Sequence, residues 1–283
     1  LITRERYGLN GATTGTADLL VDLRVAQEAG FAALELREVK VADYLRQGGT
    51  LPALRAAFAR AGVAPLSLNA LERSTLATGE EWEAVRQRCR TLCEWAQALD
   101  CPYVVAVPSP WTDAPDARRI REQTVEALAA LAGIARSFGV RLGFEFLGFG
   151  SCSVNTLEAA REIVAQVADP AVGLVIDAFH FYVGGSAWSS LDGVDPRSLF
   201  IVHLDDAEDR PRADLTDAHR LLPGAGVIPL ERLVRRLEAL GYDGVYSVEL
   251  FRPEYWAWEP LELAKEARAS LEALFTKVQE GEG

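Results

Sequence analysis

Four side chains in this sequence stand where an acid–base or metal site would need them: Glu145, Asp177, His203 and Glu249. Each lies near the C-terminal end of a short apolar run, over Arg141–Phe146, Val172–Asp177, Phe200–Leu204 and Gly244–Leu250. A buried strand has no use for a carboxylate at its end unless something binds it there. Three carboxylates and one imidazole suit a divalent cation of the Mn, Zn, Co or Mg kind. Left without a cation, converging carboxylates repel and at least one is forced to hold a proton. A 2+ ion brings such a group to about -1 and removes that difficulty. The competing reading is that each acid is satisfied separately, by an arginine or a loop amide.

For these side chains to meet, the runs that carry them must be neighbouring strands. The chain alternates strand and helix at intervals of roughly 30 residues, the size of one βα unit. Strands are expected at Arg6–Asn10, Ala33–Arg37, Pro65–Asn69, Tyr103–Val107 and then the four runs above. Helices are expected at Ala17–Ala29, Leu51–Ala61, Glu80–Leu99, Asp116–Phe138, Thr156–Val167, Pro229–Leu240 and Pro260–Phe275, with only a short piece around Trp188–Leu191 after the sixth strand. Their apolar residues recur at helical spacing, and Gly30 and Gly62 close the first two. Strict alternation requires parallel strands and right-handed crossovers. Eight pairs close a (β/α)8 TIM barrel, here expected as a single α/β domain over residues 1–283. A doubly wound open sheet competes, but no GxGxxG or P-loop follows the first strand. In a barrel, the four ligand-type residues lie on consecutive strands at the functional face. Gly143, Val175, Ile201 and Ser247, two residues earlier, face the same way, and the two small ones leave room beneath an ion.

Other residues on that face invite a role. His180 follows Asp177 outside the strand, either as a satisfied loop histidine or as a hydrogen-bond donor to substrate. The connection from Asp205 to Ile228 is the longest in the chain, and long structureless loops in compact domains are usually functional. Within it Arg220 can fork onto substrate oxygens or tie the loop down. Pro223-Gly224-Ala225-Gly226 could cradle phosphate, but no lysine accompanies it. The aromatics of Phe251-Arg252-Pro253-Glu254-Tyr255-Trp256-Ala257-Trp258 could wall off water or form a homo-oligomer contact.

Composition narrows the partners. A net charge of -12, from 29 basic and 41 acidic residues, argues against nucleic acid. No apolar run reaches the roughly 18 residues of a membrane span. Cys89, Cys93, Cys101 and Cys152 show no zinc-finger spacing and read as buried free thiols in a reducing, cytoplasmic setting. The sequence contains no Met, so Leu1 is expected to follow residues not shown.

With these residues in view, the chain resembles the sugar isomerase/epimerase superfamily of xylose-isomerase-like TIM barrels. GFEF, VNT at Val154–Thr156, LVIDAFHF, HLDDAED, LPGAG and SVELFRPEY carry the likeness, from about Gly8 to the last helix. LNAL at Leu68–Leu71, YVVAVP at Tyr103–Pro108 and VELFRPEY at Val248–Tyr255 resemble the branch acting on keto-inositols. The resemblance implies one divalent metal on Glu145, Asp177, His203 and Glu249, with Glu145 and Glu249 as the acid/base pair. It also implies that His180 and Arg220 hold oxygens of a small polyhydroxy ketone. The implied reaction moves a ketone to the neighbouring carbon through an enediolate, converting 2-keto-myo-inositol to 1-keto-D-chiro-inositol. Ketose 3-epimerases of the superfamily typically carry a further glutamate shortly after the strand-five ligand. Leu147-Gly148-Phe149-Gly150-Ser151 has no acid there. Endonuclease IV relatives need extra histidines for three metals, and this chain has three histidines in all. Inosose dehydration, a sugar-phosphate isomerisation and a non-catalytic binding barrel are the remaining alternatives.

Overall fold

A computed structural model describes residues 2–111 and 116–280. Eight parallel strands close into a barrel: β1 Tyr7–Asn10, β2 Ala33–Arg37, β3 Ala64–Leu71, β4 Tyr103–Ala106, β5 Arg141–Glu145, β6 Val172–Asp177, β7 Leu199–Leu204 and β8 Val245–Val248. Each pairs with its sequence neighbours, and β8 pairs with β1 to complete the ring. The TIM barrel expected from the alternation is therefore the fold.

Ten α-helices occur among the described residues. They are α1 Leu19–Ala29, α2 Glu38–Arg46, α3 Leu51–Ala61, α4 Gly79–Ala98, α5 Ala117–Ser137, α6 Leu157–Val167, α7 Ala178–Val183, α8 Leu230–Ala239, α9 Pro253–Trp256 and α10 Pro260–Glu280. Local chemistry sets several ends. Asp18 caps α1 by accepting from the Val21 N–H, Thr50 caps α3 and Thr156 caps α6, each satisfying an otherwise orphaned donor. Gly30 and Gly62 end α1 and α3 with φ of 83° and 66°, a left-handed turn that costs other residues more.

The strands obey period two. Leu142, Phe144, Leu174, Ile176, Val202, Leu204 and Val248 point outward into the large apolar layer under the helices. Val175 and Ile201 point inward and form a small core inside the barrel with Ala33, Leu66, Val105 and Phe200. Alternation then aims Gly143 and Glu145, Val175 and Asp177, Ile201 and His203 inward in turn. Gly143 is small for a packing reason: a Cβ there would lie 2.7 Å from Val175 Cγ2.

The structure corrects several element expectations. Helix α2 was not expected, because it starts directly after β2 without a turn. His180 sits on the short helix α7, not on a loop, because the Asp177 side chain accepts from the His180 N–H at 2.7 Å and caps it. Strand β8 stops at Val248, so Glu249 lies one residue beyond it. The Asp205–Ile228 connection is not structureless. Asp206–Ala207 pairs antiparallel with Arg220–Leu221, and Asp206 accepts from the N–H groups of Gly224 and Ile228. The piece around Trp188–Leu191 is a 3-10 helix, Trp188–Gly193.

The β5 loop packs directly onto α7. A Cβ on Gly148 would lie 2.5 Å from the His180 carbonyl oxygen and 2.6 Å from the Gly184 nitrogen. Both are backbone atoms with nowhere to yield, so Gly148→Ala is expected to destabilise the fold by about 1–3 kcal/mol. Denaturant unfolding measures this, and unchanged stability would contradict the close packing.

Candidate metal centre

The four expected ligands do converge. One ligand atom from each of Glu145, Asp177, His203 and Glu249 can be chosen so that all lie within 4.8 Å of one another. All four residues are buried. Around His203 Nδ1, Glu145 Oε1 lies at 2.9 Å, Glu249 Oε2 at 3.3 Å and Asp177 Oδ2 at 3.7 Å. The opposite ring nitrogen, Nε2, faces Glu35 at 3.1 Å.

Asp177 and Glu249 are each held from behind. Asp177 uses Oδ1 to cap α7, which turns Oδ2 toward the ligand group. Asn10 Nδ2 donates to Glu249 Oε1 at 2.9 Å, and Asn69 Nδ2 donates to the same oxygen at 3.2 Å. The orientation of both amides is fixed by their other ends. Asn10 Oδ1 accepts from the Ala12 N–H, and Asn69 Oδ1 accepts from Arg37. Glu249 is thereby left with Oε2 turned to the centre.

Arg220 is fully buried, and its fork is occupied by protein. Its Nη1 donates to Asp177 Oδ2 at 2.5 Å and also to Asp205, and lies 3.3 Å from Glu249 Oε2. Its Nη2 donates to His180 Nε2 at 3.0 Å, and Nε to Asp217 at 3.0 Å. A guanidinium only donates, so His180 Nε2 is an acceptor and the imidazole proton sits on Nδ1. That Nδ1 is buried and has no protein partner. Burial also lowers the His180 pKa, which keeps the ring neutral.

The electrostatics are those of crowded acids. Burial pushes the Glu145 carboxyl up to about 7 against the pull of His203, and the charges of Glu249 and Asp177 push the same way. Burial opposes ionisation of Asp177 too, but the Arg220 guanidinium holds its carboxyl well below the usual range. Burial would neutralise His203, yet Glu249, Glu35 and Glu145 outweigh it and raise the ring well above its ordinary value. The donor set fits a divalent ion. Glu145, Asp177 and Glu249 offer three carboxylates and His203 one imidazole nitrogen, an O/N donor set suited to a divalent cation.

The sequence reading missed Asn10, Glu35, Asn69 and Asp217. For Glu35 a signal existed: an acid flanked by Leu34 and Leu36 inside an apolar strand. The two asparagines carried none. The four cysteines are free and buried, as expected, and burial pushes Cys101 and Cys152 up to about 12 and about 11, so neither is a nucleophile. In the segment after β8, Phe251 stacks beneath Arg37 and Arg220, and Trp256 donates from Nε1 to the Ala12 carbonyl. These two aromatics bind the chain's own loops. No helix among the described residues is long and apolar enough to cross a membrane.

Comparison with known proteins agrees with this geometry. The family model for the xylose isomerase-like TIM barrel matches residues 23–274. An inosose isomerase of Halalkalibacterium halodurans is 38% identical over 261 residues, covering 92% of this chain and 92% of the relative. An inosose isomerase of Bacillus subtilis is 37% identical, covering 90% and 94%. A crystal structure of the IOLI protein with a binding zinc atom superposes with a TM-score of 0.93 at 35% identity, covering 96% of this chain and 99% of that one.

A proton on Glu145 must leave before a metal can use that oxygen, which ties metal affinity to pH. The affinity for zinc or manganese is expected to fall as pH drops through about 7, as chelator competition at about pH 8 and about pH 6 would show. Without metal, the raised carboxyl pKa contributes stability below the ordinary carboxyl range that is lost as pH rises through about 7. Added metal is expected to restore it, read as a higher Tm. An affinity independent of pH across this window would contradict the crowding of the acids.

Proposed function

The chain belongs to the xylose isomerase-like TIM-barrel family, and on that premise we propose that it is a metal-dependent inosose isomerase that converts 2-keto-myo-inositol to 1-keto-D-chiro-inositol. The observation that carries this reading is the convergence of Glu145, Asp177, His203 and Glu249 on one buried point. Its support is the likeness, over nine-tenths of the chain, to relatives named inosose isomerases.

A divalent cation held by these four residues supplies the positive charge that polarises a ketone and acidifies the neighbouring C–H. The residues of the chain do the rest. Glu145, whose carboxylate lies 2.9 Å from His203 Nδ1, is one of the two groups placed to take a proton from carbon. Glu249 is the second proton-handling group, and Asn10 and Asn69 hold its Oε1 so that Oε2 stays aimed. One glutamate removes the proton from the hydroxyl-bearing carbon. The hydroxyl proton then moves off that oxygen as the former ketone oxygen gains one, and a proton is returned to the former ketone carbon. No atom is gained or lost, so the reaction is an isomerisation.

His180 offers its Nδ1–H to a substrate oxygen, since that donor has no protein partner. Arg220 sustains this by keeping His180 Nε2 an acceptor and by anchoring Asp177. Asp177 is held ionised beside Arg220 and has no proton to carry, which makes it an anchor for the ion and not a base. The epimerase alternative is disfavoured by the β5 loop, where Gly148 is pressed onto the backbone of α7 and no acid follows.

The test is incubation of the metal-loaded protein with 2-keto-myo-inositol, and separately with fructose and tagatose, in D2O. Deuterium incorporation and product formation are expected with the keto-inositol. Exchange confined to the ketohexoses would transfer the assignment to a ketose epimerase, and loss of water would make it a dehydratase. Glu145→Gln and Glu249→Gln are each expected to lower kcat by roughly 100-fold or more while the protein stays folded. Near-normal turnover in either would remove that glutamate from the proton pathway.

A further inference from the structure

The chain holds another buried acid that the mechanism above does not use. Glu35 on β2 is fully enclosed, with no lysine or arginine among its partners. It lies across the barrel from the ligands, and both its oxygens approach His203 Nε2, Oε1 at 3.1 Å and Oε2 at 3.2 Å. Ser67, on the next strand, donates from Oγ to Glu35 Oε2 at 2.7 Å. Register places Glu35 beside Ser67 on β3 and Asn10 on β1, so the carboxylate is carried by the barrel wall itself.

Burying a carboxylate with no lysine or arginine beside it is costly unless it is hydrogen-bonded to something that needs it. The ring of His203 supplies that need. An imidazole that binds a metal does so through a nitrogen lone pair, and its other nitrogen then carries the proton. Here Nδ1 faces Glu145, Asp177 and Glu249, while Nε2 faces only Glu35. We propose that Glu35 is a positioning residue that accepts the His203 Nε2 proton, so fixing the ring to ligate a divalent metal through Nδ1, with Ser67 holding Glu35 in place. The chain Ser67–Glu35–His203 orients the ligand and, through its negative charge, makes Nδ1 a better donor. This inference rests on the reading of the centre as a metal site, and its test separates the two.

Zinc affinity of the purified protein is measured first by chelator competition. If the unaltered protein fails to bind zinc, the metal-site reading falls, and this inference with it. If it binds, Glu35→Leu is expected to weaken zinc by about 10- to 100-fold. Glu35→Gln, which keeps one carbonyl acceptor for the Nε2 proton, is expected to recover much of that loss. A Glu35→Leu protein that unfolds earlier yet binds zinc as tightly as the parent would reduce Glu35 to a structural role and overturn the proposal. The unaltered protein gives a second readout that does not depend on any variant folding. It has three histidines, so 15N spectra of the zinc-loaded form resolve each ring. His203 is expected with zinc on Nδ1 and a slowly exchanging proton on Nε2. Ligation through Nε2, or an Nε2 without its proton, would overturn the assignment.

Discussion

Mutual repulsion among buried carboxylates is the constraint on which the rest of the centre depends. Glu35, Glu145, Asp177, Asp205 and Glu249 are all buried at one end of the barrel. Against them the protein sets one guanidinium, Arg220, and one imidazole, His203. Taking an ion out of water costs several kcal/mol even after relaxation, so such a cluster persists only where pairing and hydrogen bonds offset it. Every one of these acids is paired in a distinct way. Asp177 and Asp205 share Arg220, Glu249 takes two amide donors, Glu35 takes Ser67 and His203, and Glu145 is left with His203 alone. Burial raises the carboxyl pKa of both Asp205 and Glu145, against the pull of Arg220 on the first and of His203 on the second.

The barrel supplies two half-rings of residues with different duties. Strands β5 to β8 and their ends carry the four groups that face one another. Strands β1 to β3 carry Asn10, Glu35, Ser67 and Asn69, which hold those groups from the far side. The two halves meet because β8 pairs with β1, where Leu9 lies against Val248. Asn10 and Glu249 are the next residues on each, so closure of the sheet brings amide and carboxylate together. An open sheet with the same sequence would leave β1 and β8 at opposite edges and Glu249 without that donor.

This division explains what could be read in the chain and what could not. The ligands were legible because each is a charged or metal-binding side chain at the end of a largely apolar strand, as in VGLVID before His180. Period two then assigned their direction. The supporting residues are polar but common, and nothing about Asn10 or Asn69 differs from an asparagine in a turn until the partner strand is in place. Helix α7 was hidden for another reason: Asp177 serves as ligand and as helix cap at once, and the first role masked the second. The loop after β7 looked structureless because its order comes from one buried side chain, Asp206, which gathers backbone N–H groups from Gly224 and Ile228.

Arg220 shows how the two kinds of residue are linked. Its position on the two-stranded ribbon is set by pairing with Ala207, a few residues after His203 on the same excursion of the chain. From there it reaches Asp177, Asp205, Asp217 and His180. One planar group therefore sets the charge balance beside a ligand and also the tautomer of a neighbouring histidine. A lysine could satisfy the first duty as a point charge, but it cannot direct separate N–H groups at fixed angles to a carboxylate and an imidazole. The requirement for arginine here is geometric, and it comes from the same crowding of acids that sets the proton affinity of Glu145.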